Sequence, residues 1–238
     1  MTVTPLNSQK AICAEKFITS AFGKESKSLN KILEHIEGKK HVIWDWNGTV
    51  LNDVDHSIAT INQVLVKRKI ESIDHDRYKK IFEFPVINYY KTLGFDFSIE
   101  PFEDICHEII DLYMSGFKSC PLIPGAKEIL SNLNQKGLNQ SILSASDQES
   151  LDDMINHFEL ESYFSFVFGI EDKLASSKIH RGLDLIQASN INPDDTVLIG
   201  DTSHDLEVGE HLGVDVLLVG HGHQCPLKLK SIHHSVVH

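Results

Sequence analysis

The residues best equipped for chemistry are aspartates that follow short apolar runs. HVIW is followed by Asp45, then Trp46, Asn47, Gly48 and Thr49; TVLIG is followed by Asp201 and, one loop turn later, Asp205. QSIL is followed by Ser144 and Ala145, and Lys178 sits near the start of a helical pattern. Hard carboxylate oxygens on separate segments suit Mg²⁺, which keeps several waters and takes one or two protein carboxylates. An aspartate beside such an ion can attack phosphorus. A lysine and a hydroxyl can neutralise the equatorial oxygens of a transferring phosphoryl group. Gly48 allows a sharp turn whose N–H groups could face an anion as a nest.

For these residues to meet, the elements that carry them must share one rim. Leu29, Ile32, Leu33 and Ile36 repeat at helical spacing, with Gly38 at the expected C′ position. HVIWDW then fits a buried parallel strand. From Asp53 to about Phe117 the periodicity is helical (SIATINQVLVKRK, PFEDICHEIIDLYMSGF), with no strand between. After PLIP at 121–124 a helix is expected over Gly125 to Gln135. Strand–helix alternation follows, with strands at 139–144, 163–170, 196–200 and 214–219. Helices are expected through DQESLDDMINHF, over Ser177 to Ser189 and over Asp205 to Leu212. Alternation of this kind implies a parallel sheet covered on both faces, with ligands beyond the carboxyl ends of its strands.

DWNGT at 45–49, Ser144, Lys178 and GDTSHD at 200–205 resemble, in that order, the four motifs of the haloacid dehalogenase-like superfamily. The resemblance runs from about residue 41 to 225, and FPVINYYKTLGF at 84–95 resembles a segment of the C1-type helical cap of phosphoglycolate-phosphatase-like members. It implies a Rossmann-like three-layer α/β/α core with strand order 5-4-1-2-3 at 41–52 and 121–238. It also implies an all-helical cap over 53–120, leaving residues 1–40 as an N-terminal helical extension. By the same resemblance, Asp45 is the nucleophile and a metal ligand. Asn47 lends its backbone carbonyl to Mg²⁺, and Ser144 and Lys178 hold the phosphoryl group together with Gly48, Thr49 and Ala145. Asp201 binds the metal, and Asp205 binds it through water or orients Lys178. The implied activity is Mg²⁺-dependent hydrolysis of a small phosphomonoester, phosphoglycolate-like or a sugar phosphate, through an aspartyl-phosphate.

Asn47 departs from the pattern, because related phosphatases usually carry an aspartate there as general acid and base. An amide cannot do either job. Asn52 is a second departure, and Asp53 and His56 are candidate substitutes. The departure keeps two rivals open: a HAD-fold phosphate-binding protein without turnover, and different chemistry at the same nucleophile, either a dehalogenase, against which the intact GDTSHD argues, or a phosphonatase-type C–P hydrolase. The last would use a Schiff-base lysine drawn from Lys67, Lys69, Lys79, Lys80 and Lys91. Blander roles also stand beside the motif residues: Asp205 as a helix cap, Ser144 as a turn serine, and Lys173 in place of Lys178.

Composition narrows the partners. The 238 residues carry a net charge of −12, so nucleic acid is not an expected partner. No apolar run reaches the roughly 20 residues of a membrane span, and no secretory signal is apparent. The four cysteines form no CxxC pair, which suits a reducing compartment. The expectation is a cytoplasmic monomer or homodimer acting on a small phosphorylated metabolite. The 14 histidines, including His221 and His223 in GHGHQ, form no strong metal-binding pattern.

Overall fold

The computed structural model describes residues 31–171 and 178–237. The strands are β1 (His41–Trp44), β2 (Asn139–Asp147), β3 (Phe166–Ile170), β4 (Thr196–Gly200), β5 (Asp215–Val219) and β6 (Val236–Val237). They form one sheet in the order β3-β2-β1-β4-β5-β6, and every neighbouring pair is parallel. This is the expected order read from the other edge, with a two-residue strand added beyond β5. β6 was not anticipated, because two residues carry no readable periodicity.

Alternation along the central strands explains why both faces are covered. Val42 and Trp44 of β1 and Val197 and Ile199 of β4 join one apolar cluster, with Leu130 and Met154. Ile43 and Leu198 point the other way into a second cluster, with Leu185 and Val208. Helices α5 (Ala126–Gln135) and α6 (Gln148–His157) therefore pack on one face, and α7 (Lys178–Ser189) and α8 (Ser203–Leu212) on the other. The helices that precede them in sequence are α1 (Val54–Lys67), α2 (His75–Ile81), α3 (Val86–Leu93) and α4 (Phe102–Gly116). They share a separate apolar cluster that includes Leu65, Tyr78, Tyr89, Leu93 and Ile105. A last helix, α9 (Pro226–Ile232), leads into β6.

Several boundaries differ from the sequence reading. β2 continues to Asp147, with a register shift between Leu143 and Asp147. Ser144 thus lies inside the strand, and the irregularity turns Ala145 and Ser146 toward the rim. α8 begins at Ser203, so Asp205 is the third residue of the helix and Thr202 its N-cap. Trp46 is fully buried, its indole N–H 3.3 Å from Met154 Sδ. Residues 28–30 of the expected first helix, and Lys173, lie outside the described residues; residues 31–35 are helical and Gly38 has φ +81°. Among the described residues no helix is long and apolar enough to cross a membrane.

Candidate active site

The strand-end rule puts Asp45 just past β1, Asp201 just past β4, Ala145 and Ser146 at the irregular end of β2, and Lys178 at the first residue of α7. Asp45 keeps sheet pairing one residue beyond its strand through N–H to Ile199 O, 2.8 Å. Asp45, Asp201 and Asp205 are all buried, each with a carboxylate oxygen within 4.8 Å of the others.

Lys178 binds this cluster from one side. Its Nζ donates to Asp45 Oδ1 at 2.6 Å and to Asp205 Oδ1 at 2.7 Å. The other Asp205 oxygen accepts from the Thr202 N–H at 3.0 Å, the Thr202 hydroxyl at 2.8 Å and the Asp201 N–H at 3.2 Å. Asp205 is therefore not the N-cap itself: from the third position of α8 one oxygen completes a capping box with Thr202, while the other accepts from Lys178. Burial works to raise the Asp205 carboxyl, but Lys178 and Thr202 outweigh it and hold it below the usual range. Burial likewise works to lower Lys178, and its two carboxylates override it and hold the ammonium above its ordinary value.

Asp45 and Asp201 are less compensated. Burial pushes the Asp45 carboxyl up to about 6 despite Lys178. It pushes Asp201 well above the usual range, with Asp45 and Asp205 adding to the rise. The Thr49 hydroxyl reaches Asp45 Oδ2 at 3.1 Å and Asp201 Oδ1 at 3.5 Å, and the His223 N–H donates to Asp201 Oδ2. Gly48 has φ +74°, and a Cβ there would collide with Asp201 and with the His223 ring. Its N–H donates to Asp53 Oδ1 at 2.8 Å, so it serves the protein rather than an anion nest.

Around Asn47 the structure adds residues that sequence reasoning missed. The Asn47 amide donates to Asp53 Oδ2 at 2.9 Å and to the Tyr113 hydroxyl at 2.7 Å, and its oxygen accepts from Ser146 Oγ at 2.9 Å. Tyr113 donates in turn to Asp53 Oδ2 at 2.7 Å. His223 Nε2 lies 3.2 Å from Asp53 Oδ1, and its Nδ1 lies 2.8 Å from the Tyr78 hydroxyl. Burial works against both charges in the Asp53–His223 pair. Their mutual attraction prevails, holding Asp53 below the usual carboxylate range and lifting His223 to about 9. His56 stands apart from this network, its Nε2 2.8 Å from the Tyr113 carbonyl. His223 was readable in principle, because it follows the carboxyl end of β5 and so falls under the strand-end rule.

The charge count bears on a metal. Asp45, Asp53, Asp201 and Asp205 are buried carboxylates, whereas Lys178 and His223 are the fully buried cations facing them among the described residues. With all four ionised, two negative charges would stay uncompensated; the upward shifts of Asp45 and Asp201 reflect burial and that deficit, one divalent ion would close it, and the all-oxygen donors suit a hard cation. Asp45 and Asp201 fit as its carboxylates, because Lys178 holds one Asp205 oxygen and three donors converge on the other, whereas Asp45 Oδ2 and Asp201 Oδ1 share the single Thr49 hydroxyl.

The same rim opens on a cavity of about 230 Å³ between the sheet and helices α1 to α4. Asp45, Asn47, Ala145, Lys178, Asp201, Asp205 and His223 line its floor. Ser144, buried and accepting the Ser146 N–H at 3.1 Å, does not line it. Gly48 and Thr49 act from beneath, and Lys67, Lys69, Lys79, Lys80 and Lys91 are all absent from the lining.

The sequence pattern of the family described as "Haloacid dehalogenase-like hydrolase" matches residues 42–219. The chain is 22% identical over 188 residues to the tyrosine-protein kinase PtkA of Mycobacterium tuberculosis, a match covering 79% of this chain and 64% of PtkA. It is 21% identical over 188 residues to the pyrophosphatase PpaX of Bacillus mycoides, covering 72% and 82%. The haloacid dehalogenase-like family protein SP0104 of Streptococcus pneumoniae superposes with a TM-score of 0.72 at 17% identity, over 85% of this chain and 95% of that one.

Proposed function

The chain belongs to the haloacid dehalogenase-like hydrolase family, and on that premise we propose that it is a Mg²⁺-dependent phosphatase of small phosphomonoesters, acting through an aspartyl-phosphate on Asp45. One observation carries the reading: the Asp45 carboxylate faces the cavity, held by Lys178 at 2.6 Å, beside a second buried aspartate, Asp201, whose carboxyl burial pushes well above the usual range.

In this reading Thr49 and Lys178 orient Asp45, so that one of its oxygens can approach phosphorus in line with the leaving oxygen. Lys178 supplies positive charge to the phosphoryl oxygens, and Asp205 fixes its position. The Ala145–Ser146 edge completes the phosphoryl pocket. Mg²⁺ on Asp45 and Asp201, with the Asn47 carbonyl, would neutralise the incoming dianion and polarise the scissile bond. Helices α1 to α4 would act as the cap that excludes water and bounds substrate size. Asn47 contributes no proton, and losing general acid–base help typically costs about 10²–10⁴-fold. The absence of all five lysines from the cavity lining removes support for a Schiff-base route.

Phosphate release from a panel of small phosphomonoesters, with Mg²⁺ or EDTA, tests the proposal in wild type and Asp45→Asn. Mg²⁺-dependent release that Asp45→Asn abolishes is expected. Release that survives the substitution would refute it.

A further inference from the structure

Resting on that phosphatase reading, we propose that the natural substrate is a phosphate monoester of an uncharged aromatic alcohol, an aryl phosphate. Two independent observations converge on this class.

The first is the character of the cavity above Asp45. Phe82, Phe84, Val86, Tyr89, Ile109 and Met114 line the part that would receive the leaving group. Phe82 and Phe84 meet edge to face at 5.7 Å, and Phe82 and Tyr89 at 5.2 Å, which builds an aromatic wall. Rings favour such offset and edge contacts with another ring. A cavity of about 150 Å³ accommodates one benzene ring. The space here, about 230 Å³, suits one ring beside a phosphoryl group. Among the described residues the cations that line it are Lys178 and His223, and both already face aspartates. A leaving group with its own carboxylate or second phosphate would enter this wall with no free cation to balance it, and of the six side chains named only the Tyr89 hydroxyl, which has no partner, could donate to it, so burial makes its cost large.

The second is the committed geometry at position 47. The Asn47 amide nitrogen serves Asp53 and Tyr113, and its oxygen is taken by Ser146. Asp53 accepts from the Gly48 N–H, Asn47, Tyr113 and Ser57, so its oxygens are occupied as well. A leaving oxygen at this place meets no available proton. Phenols ionise near pH 10, whereas the oxygen of water or a simple alcohol does so near 16. An aryl oxygen can depart as phenolate, and an alkyl oxygen needs the acid that is missing.

The chemistry balances without a further reactant. An Asp45 oxygen bonds to phosphorus as the P–O(aryl) bond breaks, and its electron pair leaves on the phenolate. Water then adds to phosphorus, and the Asp45–phosphorus bond breaks with its pair returning to the carboxylate. The protons of water are shared between phosphate and phenol, so the sum is aryl phosphate plus water giving phenol plus inorganic phosphate.

The test compares kcat/KM of the full chain with Mg²⁺ on unsubstituted phenyl phosphate, on a series of substituted phenyl phosphates, and on glycerol phosphate, phosphoglycolate and glucose 6-phosphate. Asp45→Asn is the control. The expected result is a preference for phenyl phosphate of at least ~100-fold, the lower end of what a general acid supplies. Phosphoenzyme formation should also slow steeply as the phenol pKa rises. Asp45-dependent turnover of the hydrophilic alkyl phosphates as fast as phenyl phosphate would overturn the substrate class and leave the phosphatase reading standing. No Asp45-dependent release from any ester would overturn the phosphatase reading, and this inference with it.

Discussion

The Asn47 amide nitrogen lies 2.9 Å from Oδ2 of the buried Asp53 carboxylate, so the amide at position 47 is the donor that this carboxylate requires. Asn47→Asp would oppose two carboxylates at hydrogen-bond distance, and one of them would have to hold a proton. The single variant should lose about 1–3 kcal/mol of stability at neutral pH. Asn47→Asp with Asp53→Asn restores one donor and one acceptor, and should recover part of that loss. A double-mutant cycle by urea unfolding measures the coupling; additive effects would refute it.

Lys178 is the shared partner of Asp45 and Asp205, all three buried. Lys178→Met leaves both carboxylates without it. The expected loss is about 3–5 kcal/mol near neutrality, as for other broken buried ion pairs. It should shrink as pH falls and the carboxylates take up protons. Chemical denaturation in EDTA at two pH values checks this, and a pH-independent loss would contradict it.

In EDTA, thermal stability should decline as pH rises from about 4 to about 9, in two stages. Asp45 has its pKa raised from 3.8 to about 6, so its contribution is complete below 3.8 and is lost through 6. Asp201, also raised, adds in the same direction. His223 is raised from 6.5 to about 9, so its contribution is complete below 6.5 and is lost through 9. Asp53, whose pKa is lowered, loses its contribution only as the medium becomes more acidic than its ordinary 3.8. His223→Gln should flatten the curve between pH 6.5 and 9 and leave the acid stage in place. An unchanged upper limb in that variant would count against the Asp53–His223 pairing.

Gly222 packs against Asp201 so closely that an added Cβ would overlap its carboxyl group. Gly222→Ala should therefore displace Asp201 and reduce the rise in melting temperature on adding Mg²⁺. Gly213 offers a control: a Cβ there meets no atom within 4 Å, although φ is +69° and the substitution carries backbone strain. Gly213→Ala should lower the melting temperature yet keep the Mg²⁺ response. An equal Mg²⁺ response in both variants would remove Asp201 from the metal site.

The sheet, Asp45 and Asp201 were legible in the sequence because each rests on a local signal: an apolar run ends, and a polar residue follows at the rim. Lys178 and Asp205 follow no such run, and their expected roles came from the order of the motifs. The strand was expected to end at Ser144 because the irregularity that carries β2 to Asp147 leaves no mark in residue type. Tyr113, Tyr78 and His223 were missed for a different reason. Their roles come from pairing with Asn47 and Asp53, and His223 lies 170 positions from Asp53. The helical pattern of α4 marks Tyr113 as one aromatic among several, and only the packing of α4 against α1 sets its hydroxyl on Asp53.

The short loop after β5 touches two parts of the molecule at once. The His223 N–H grips Asp201, while its ring meets Tyr78; the Cys225 N–H reaches the Lys79 carbonyl at 2.9 Å, and the Gln224 amide reaches the Phe82 carbonyl at 3.0 Å. The same loop thus holds a proposed metal ligand and ties down α2. Displacing α2 from the sheet would strain the grip on Asp201, and drawing Asp201 toward a cation would pull on α2. Thermodynamic reciprocity then requires that whatever a bound ion adds to closure, closure adds equally to affinity for the ion. Were an ion to bind Asp201, its occupancy and access to the cavity would be coupled through this loop.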